Sequence, residues 1–258
     1  MTKTTAPATA TATALCLLLL VGCSPSDTGT APSSPAVRSA DSVTPPASGS
    51  PAGQATCPNP HGGNCLGPLE PGQYQTATFQ PAITYTVPAG WTNSEDLPGN
   101  FVLFQQKDKQ EGTLGGSYLG IFQNIQAAAI NCAEAREEGI GTTPTELVAW
   151  YQSVPGLVVS EPQRVNVGGL DGLQIDLGLE PDVDTCRYDT YEGIPLIIGN
   201  GVSDLHHVIL PELNVRLVIL GWRDGNVTLE ITNVKEQHSA DEFRAALQPI
   251  IDSLEFQG

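Results

Sequence analysis

From about residue 70 onward, apolar and polar residues alternate in short runs, and at two places the period lengthens from two to between three and four. In "ITYTV", Ile83, Tyr85 and Val87 face one way and Thr84 and Thr86 the other, until Pro88-Ala89-Gly90 ends the run; this predicts a half-buried strand. "GNFVLFQQ" and "SYLGIFQNIQ" predict two more strands. "RVNVGGLDGLQIDLGL" predicts a hairpin through a Gly-rich turn, with Leu173, Ile175, Leu177 and Leu179 sharing a face. "NVRLVILGWRDGNVTLEIT" predicts the clearest hairpin, Asp224-Gly225 supplying the positive φ angles of a tight turn. Its first strand is apolar on both faces (Val215, Leu217 and Ile219 against Val218, Leu220 and Trp222), which places it inside a sheet covered on both sides. Its second strand alternates Val227, Leu229 and Ile231 with Thr228, Glu230 and Thr232, which predicts one face in water.

Helical spacing follows two capping boxes. Thr143-Pro144-Thr145-Glu146 opens the first, with Pro at the first helical position; Leu147, Trp150, Tyr151 and Val154 recur behind it and Pro155-Gly156 ends it. Ser239-Ala240-Asp241-Glu242 opens the second, and Phe243, Leu247, Ile250, Ile251 and Leu254 form one stripe that Pro249 is expected to kink. A shorter helix is expected near Ala127, carrying Cys132. Many strands with few crossover helices predict an α+β fold: a mostly antiparallel β-sheet flanked by helices, built by residues 71–258 as one globular domain around one core.

The start of the chain is different. An apolar run from Ala14 to Cys23 is about half the roughly 20 residues a bilayer span needs. It follows a short polar segment bearing Lys3, so residues 1–22 read as a signal peptide. Leu20-Val21-Gly22-Cys23 resembles the bacterial lipobox, which implies cleavage before Cys23 and a diacylglycerol on its thiol. The expected location is therefore the extracytoplasmic face of the cell membrane, with the membrane as a partner through an N-terminal lipid anchor. Residues 23–70 read as a tether with a small disulfide loop. Ser24 to Thr56 is almost wholly Ser, Pro, Thr, Ala and Gly, too poor in apolar surface to offset the entropy of ordering. Such a segment reaches about 30 Å as a flexible coil and about 100 Å as stretched polyproline.

The formal net charge of −17 argues against nucleic acid as a partner and against charge-driven binding to anionic headgroups. Solubility accounts for the acidity without any ligand. Of six cysteines, Cys16 leaves with the signal and Cys23 carries the lipid; an exported chain is expected to bridge the remaining four. Cys57 and Cys65 enclose "CPNPHGGNC" and are expected to pair locally, leaving Cys132 with Cys186. Cys57, His61 and Cys65 are also spaced like a metal knuckle, but three ligands are too few for a closed structural zinc site.

No cofactor or metal is expected, and no catalytic signature is present: there is neither G-x-S-x-G nor H-E-x-x-H. His206 and His207 are adjacent on the predicted strand "LHHVIL" and so point to opposite faces; one is expected to be exposed and the other hydrogen-bonded, with Asp204 or a distant carboxylate as a candidate partner. His238, beside the second helix cap, is expected in solvent. The acidic loop 180–193 carries Asp182, Asp184, Asp189 and Glu192, but Arg187 stands where an EF-hand has Gly and Gly193 where it has Glu. The loop reads as a segment pinned by Cys186, with cation binding left open. Trp91 and Trp222 are expected to pack in the core.

"TYTVPAGWTNSEDLPGNFVLF", "GLVVSEPQRVNVGGLDGLQIDL" and "LQPIIDSLEF" resemble actinobacterial cell-envelope lipoproteins of the Lpp-LpqN type, over roughly residues 74 to 256. That resemblance implies a PsbP-like α/β/α sandwich and a non-enzymatic envelope protein, in some relatives an accessory to lipid transport or a protein-binding partner. It supplies no motif of functional residues. The expected function is thus a lipid-anchored binding or accessory module, non-catalytic, whose partner is an envelope protein or lipid. The alternative is an extracytoplasmic hydrolase with a site built from scattered residues. A pocket crowded with titratable groups would favour the enzyme, and an apolar groove the binder.

Overall fold

The computed structural model describes residues 66–106, 116–188, 191–199 and 205–258, the side chains of 205 and 206 excepted. Cys23, the Cys57–Cys65 loop and His61 lie outside the described residues. In chain order the strands are β1 (Gly67–Leu69), β2 (Gly72–Gln75), β3 (Ala82–Val87), β4 (Trp91–Asp96), β5 (Asn100–Gln105), β6 (Tyr118–Gln123) and β7 (Ile125–Ala127). Helix α1 (Pro144–Ser153) follows, then β8 (Leu157–Val159), β9 (Gln163–Val167), β10 (Leu170–Leu179), β11 (Cys186–Arg187), β12 (Glu192–Gly199), β13 (Leu205–Ile209), β14 (Leu213–Trp222) and β15 (Gly225–Val234). Helix α2 (Ala240–Asp252) and β16 (Glu255–Gln257) close the chain.

Every strand pair is antiparallel. The main sheet runs β1-β4-β5-β6-β15-β14-β10-β8, with β9 also pairing β10. It is covered on both faces, which is why β14 can be apolar on both. On one face α1 and the small sheet of β7, β11, β12 and β13 pack on Ile175, Leu177, Val215, Leu217 and Ile219. On the other, α2 and the sheet β16-β3-β2 pack on Phe101, Leu119, Ile121, Val218 and Leu229. The expected single core is thus two cores separated by the sheet, and all their fully buried members lie between Leu69 and Leu254. The described residues, all within 66–258, belong to one compact unit. No helix among the described residues is long and apolar enough to cross a membrane.

Both helices start as their sequences dictate. Thr143 and Ser239 accept from the backbone N–H of Glu146 and Glu242, and each glutamate reaches back to the cap's backbone N–H. Four local expectations are corrected. No helix carries Cys132: residues 125–127 form β7, an Ala128–Arg136 bridge closes the loop beyond it, and Cys132 has φ 64°, a left-handed value that no α-helix contains. "SYLGIFQNIQ" is two strands in two sheets, broken at Asn124 with φ 53°. In the β14–β15 hairpin Trp222 pairs with Gly225, so the turn is Arg223-Asp224 and the positive φ, 52°, falls on Arg223. Gly225 is needed for space instead, since a Cβ there would collide with Asn124 Oδ1. Finally, the face of β15 expected in water is buried: Thr228 is 0%, Glu230 3% and Thr232 2% exposed. Its cover, invisible in the local alternation, comes from β13, whose His207 faces Glu230, and from β7, whose Ile125 bonds Asn226.

Cys132 and Cys186 are bridged, with Cα atoms 5.3 Å apart, tying the loop after β7 to β11. Trp91 is buried against Phe243, while Trp222 is half-buried with the Arg223 guanidinium 5.3 Å over its ring.

Candidate functional site

Two charged clusters stand on opposite faces of the main sheet. The first surrounds Glu230. A row of paired residues crosses the sheet as Glu95, Val102, Gly120 and Glu230. Gly120 leaves room for its neighbours, because a Cβ would strike the Phe122 ring. That room lets Phe122 and Tyr118 close edge-on around His207, with ring centroids 4.9 and 6.4 Å from the imidazole. Glu230 accepts from Tyr118 Oη at 2.8 Å and from Thr232 Oγ1 at 2.9 Å, both on Oε1, while its Oε2 faces His207 Nδ1.

Burial alone would raise the Glu230 pKa. The charge of His207 and the hydrogen bonds from His207, Tyr118 and Thr232 outweigh it and hold the carboxyl below its ordinary range. An ionised carboxylate accepts only, so His207 Nδ1–H is the donor. Burial works against the charged imidazole, but the charge and hydrogen bond of Glu230, with a smaller contribution from Glu95, raise its pKa above the ordinary 6.5. Tyr118 is pushed well above its ordinary value by burial and by the Glu230 charge. His207 is the hydrogen-bonded histidine that the adjacent pair predicted, and its partner is a distant carboxylate. Its side chain is 24% exposed, and with Nδ1 bonded to Glu230, Nε2 is the ring nitrogen without a partner among the described residues. Among the described residues no Ser, Thr or Cys hydroxyl or thiol bonds to it.

The second cluster is half open. Asp176 on β10 and Arg216 on β14 are directly paired and bonded as a fork, Nε to Oδ1 at 2.7 Å and Nη2 to Oδ2 at 2.9 Å. Arg244, from the second turn of α2, adds Nη2 to Oδ1 at 2.8 Å. Two guanidiniums therefore share one carboxylate. Burial and the neighbouring Arg216 hold the Arg244 guanidinium below its ordinary value. Asp176 loses some ionisation to burial, but the Arg216 hydrogen bond and both positive charges leave its carboxyl below the usual range.

Both arginines open into a cleft of about 590 Å³. Its floor is the sheet, with Gln174, Arg216, Val218 and Ile231; one wall is α2, with Arg244, Gln248 and Ile251; the other is the β9–β10 turn, with Val165, Val167 and Gly168-Gly169. The volume is that of a small-molecule site. Gly168, at φ 58°, lets the turn close on the chain end, since a Cβ there would collide with the Phe256 ring.

The sequence reading had not singled out Asp176, Arg216 or Arg244. A signal existed: each of "LQIDLGL" and "NVRLVIL" carries one charge in an otherwise apolar run, and the two are opposite in sign. The remaining sequence candidates do not gather. His238 is half-buried and stacks on Phe243 rather than standing in solvent. In the acidic loop Glu192 pairs with Arg187, Asp182 turns the chain at φ 58°, and Asp189 lies outside the described residues. No group of three or more His, Cys, Asp or Glu among the described residues is arranged to hold a metal ion.

No family model and no curated protein matches the chain. Solved structures do. A crystal structure from Bacteroides thetaiotaomicron VPI-5482 is 15% identical with a TM-score of 0.32, covering 68% of this chain and 45% of that one, so the likeness spans less than half of that protein. The solution structure of cyanobacterial PsbP (CyanoP) from Synechocystis sp. PCC 6803 is 11% identical with a TM-score of 0.35, covering 76% of this chain and 98% of that one. At these TM-scores neither likeness bears on the two clusters, which stand on their own geometry.

Proposed function

We propose that this chain is a non-catalytic binding module of the cell envelope, held on the extracytoplasmic face by a lipid on Cys23 and binding its ligand in the cleft between α2 and the β9–β10 turn. The single observation that carries the reading is that cleft: ligand-sized, lined by polar and apolar side chains together, with an arginine pair at one end. The lipobox supports the anchor. The doubly covered antiparallel sheet and the three sequence stretches support a PsbP-like frame of the Lpp-LpqN type. An envelope protein or lipid remains the partner class that this frame implies.

Two experiments test the proposal. Cys23→Ala should release the chain from the membrane fraction; retention as firm as that of the wild type refutes the anchor. Purified residues 50–258 should retain a compound from envelope extract, identified by mass, and Gln248→Trp should block retention by filling the cleft from its exposed wall. Retention unaffected by that change refutes the cleft as the site.

A second reading has its own observation. The Glu230–His207 pair, with Nδ1 held and no partner on Nε2 among the described residues, resembles the base half of a hydrolytic site. Turnover of ester, peptide, glycoside or phosphate substrates that survives repurification and disappears in His207→Gln would establish the hydrolase. The same assay with no turnover supports the binding module.

A further inference from the structure

We propose that the cleft takes an amphipathic monoanion: one carboxylate or phosphate head between Arg216 and Arg244, and an apolar body lying along α2. This rests on the cleft being the ligand site and adds the chemistry of what fills it.

The charge arithmetic comes first. The chain holds 11 Lys and Arg against 28 Asp and Glu, yet two of those cations meet at one point. They share Asp176, which leaves one positive charge over. Asp241 lies 3.5 Å from Arg244 Nη1 but is 96% exposed, so water screens it and it neutralises little. Each arginine side chain is only 22% exposed. A partly covered cation whose second counter-ion is screened by water gains from an anion placed beside it. The donors for that anion are present: Asp176 occupies the Nε and Nη2 edge of Arg216 and one nitrogen of Arg244, and the Nη1 of Arg216 has no other partner among the described residues.

Away from the arginines, apolar side chains stand among Gln174 and Gln248 in the lining. Val218 follows Arg216 on the same face of β14, and Ile251 follows Arg244 by seven residues on α2, a rise of about 10 Å. Val165, Val167 and Leu254 line the same region. Asp252 and Glu255 stand exposed at that far end, where they would repel a second negative group. One anionic head and a neutral body therefore fit, and a dianion with its charges at opposite ends does not.

The test is calorimetric titration of residues 50–258 with sodium decanoate and the monoanionic diester decyl methyl phosphate, and with decan-1-ol and decyltrimethylammonium as controls, all below micelle formation. The two anions should bind once per chain, and at least tenfold more tightly than either control. Which anion binds better separates a carboxylate from a phosphate source. Gln248 is exposed and bonds only Asp252. Its replacement therefore leaves the core intact, and Gln248→Glu should weaken decanoate several-fold while Gln248→Lys tightens it. Anions that bind no better than decan-1-ol, no binding at all, or indifference to both changes at 248 would overturn the assignment. If decanoate fails while Gln248→Trp still blocks retention from envelope extract, the ligand class is wrong and the binding site stands; if both fail, the binding reading falls with it.

Discussion

Each face of the main sheet holds a carboxylate paired with cations, and the two are built to opposite ends. On the α1 face Glu230 is 3% exposed and takes three donors from three strands, so its charge is met from within the protein. On the α2 face the Asp176 side chain is 38% exposed and two arginines compete for it, so donors are left over. The first arrangement is closed: one acid, one base, two hydroxyls. The second is open, with more positive charge than its own carboxylate can meet. Saturation is what a buried charge requires to be tolerated at all. Excess is tolerated only beside solvent or a ligand. The cover explains the difference: the β12–β13 hairpin lies over β15, whereas β10 and β14 are left partly bare between α2 and the β9–β10 turn.

The largest expected effect attacks the closed face through its cover. The Cys132–Cys186 bridge closes a segment of 54 residues. Replacing both cysteines with serine should cost about 4 kcal/mol in denaturant unfolding. The arginine cleft, which the bridge does not touch, should keep its ligand affinity where the protein remains folded.

His207→Ala should come next. Removing one partner of a buried pair leaves Glu230 without its counter-charge, at about 3 kcal/mol, the lower part of the usual range because the imidazole is partly exposed and water can enter. The pH dependence of that loss follows from the two shifts. His207, raised above 6.5, stabilises fully below 6.5 and loses its contribution as pH climbs through its folded value. Glu230, lowered below 4.5, stabilises fully above 4.5 and loses its contribution as pH falls through its folded value. The gap between wild type and His207→Ala, read from urea midpoints, should therefore be widest between pH 4.5 and 6.5 and narrow on both sides. A gap that is flat with pH would mean that the pair is neutral and the closed cluster only a packing feature.

Much of this frame was legible in the sequence, and the reasons are local. Capping boxes act within four residues, so both helices could be placed from Thr143 to Glu146 and from Ser239 to Glu242. The β9–β10 and β14–β15 hairpins follow from adjacent alternating runs. What failed was non-local. Thr228, Glu230 and Thr232 read as a wet face because only the cover from β7, about 100 residues earlier, and from β13 makes it dry. Cys132 read as helical because the loop that forces its left-handed φ is fixed by a bridge to Cys186. The candidate sites were illegible for the same reason. Asp176, Arg216 and Arg244 come from three elements, and nothing within any one of them says that they meet.

The smallest expected effect tests the open cluster, and it decides whether the contrast is real. Arg244→Gln removes one of the two cations on Asp176. The carboxylate keeps the fork from Arg216, so no charge is left unpaired. Arg244 itself is near the surface, and pairs of that kind contribute about 1 kcal/mol or less. Some of the loss is returned, because the mutation also relieves repulsion between two guanidiniums. The stability change should thus stay under about 1 kcal/mol and be smaller still in high salt. It should also be flat from pH 5 to about 8, since Asp176 ionises below its ordinary 3.8 and no imidazole takes part. A loss near 3 kcal/mol, comparable to His207→Ala, would show that Arg244 is committed to the fold. Asp176 would then be a closed cluster like Glu230, and the surplus charge assigned to a ligand would not exist. A small, pH-independent loss in stability with a large loss of decanoate affinity separates the two faces: one charged cluster holds the protein together, and the other holds something else.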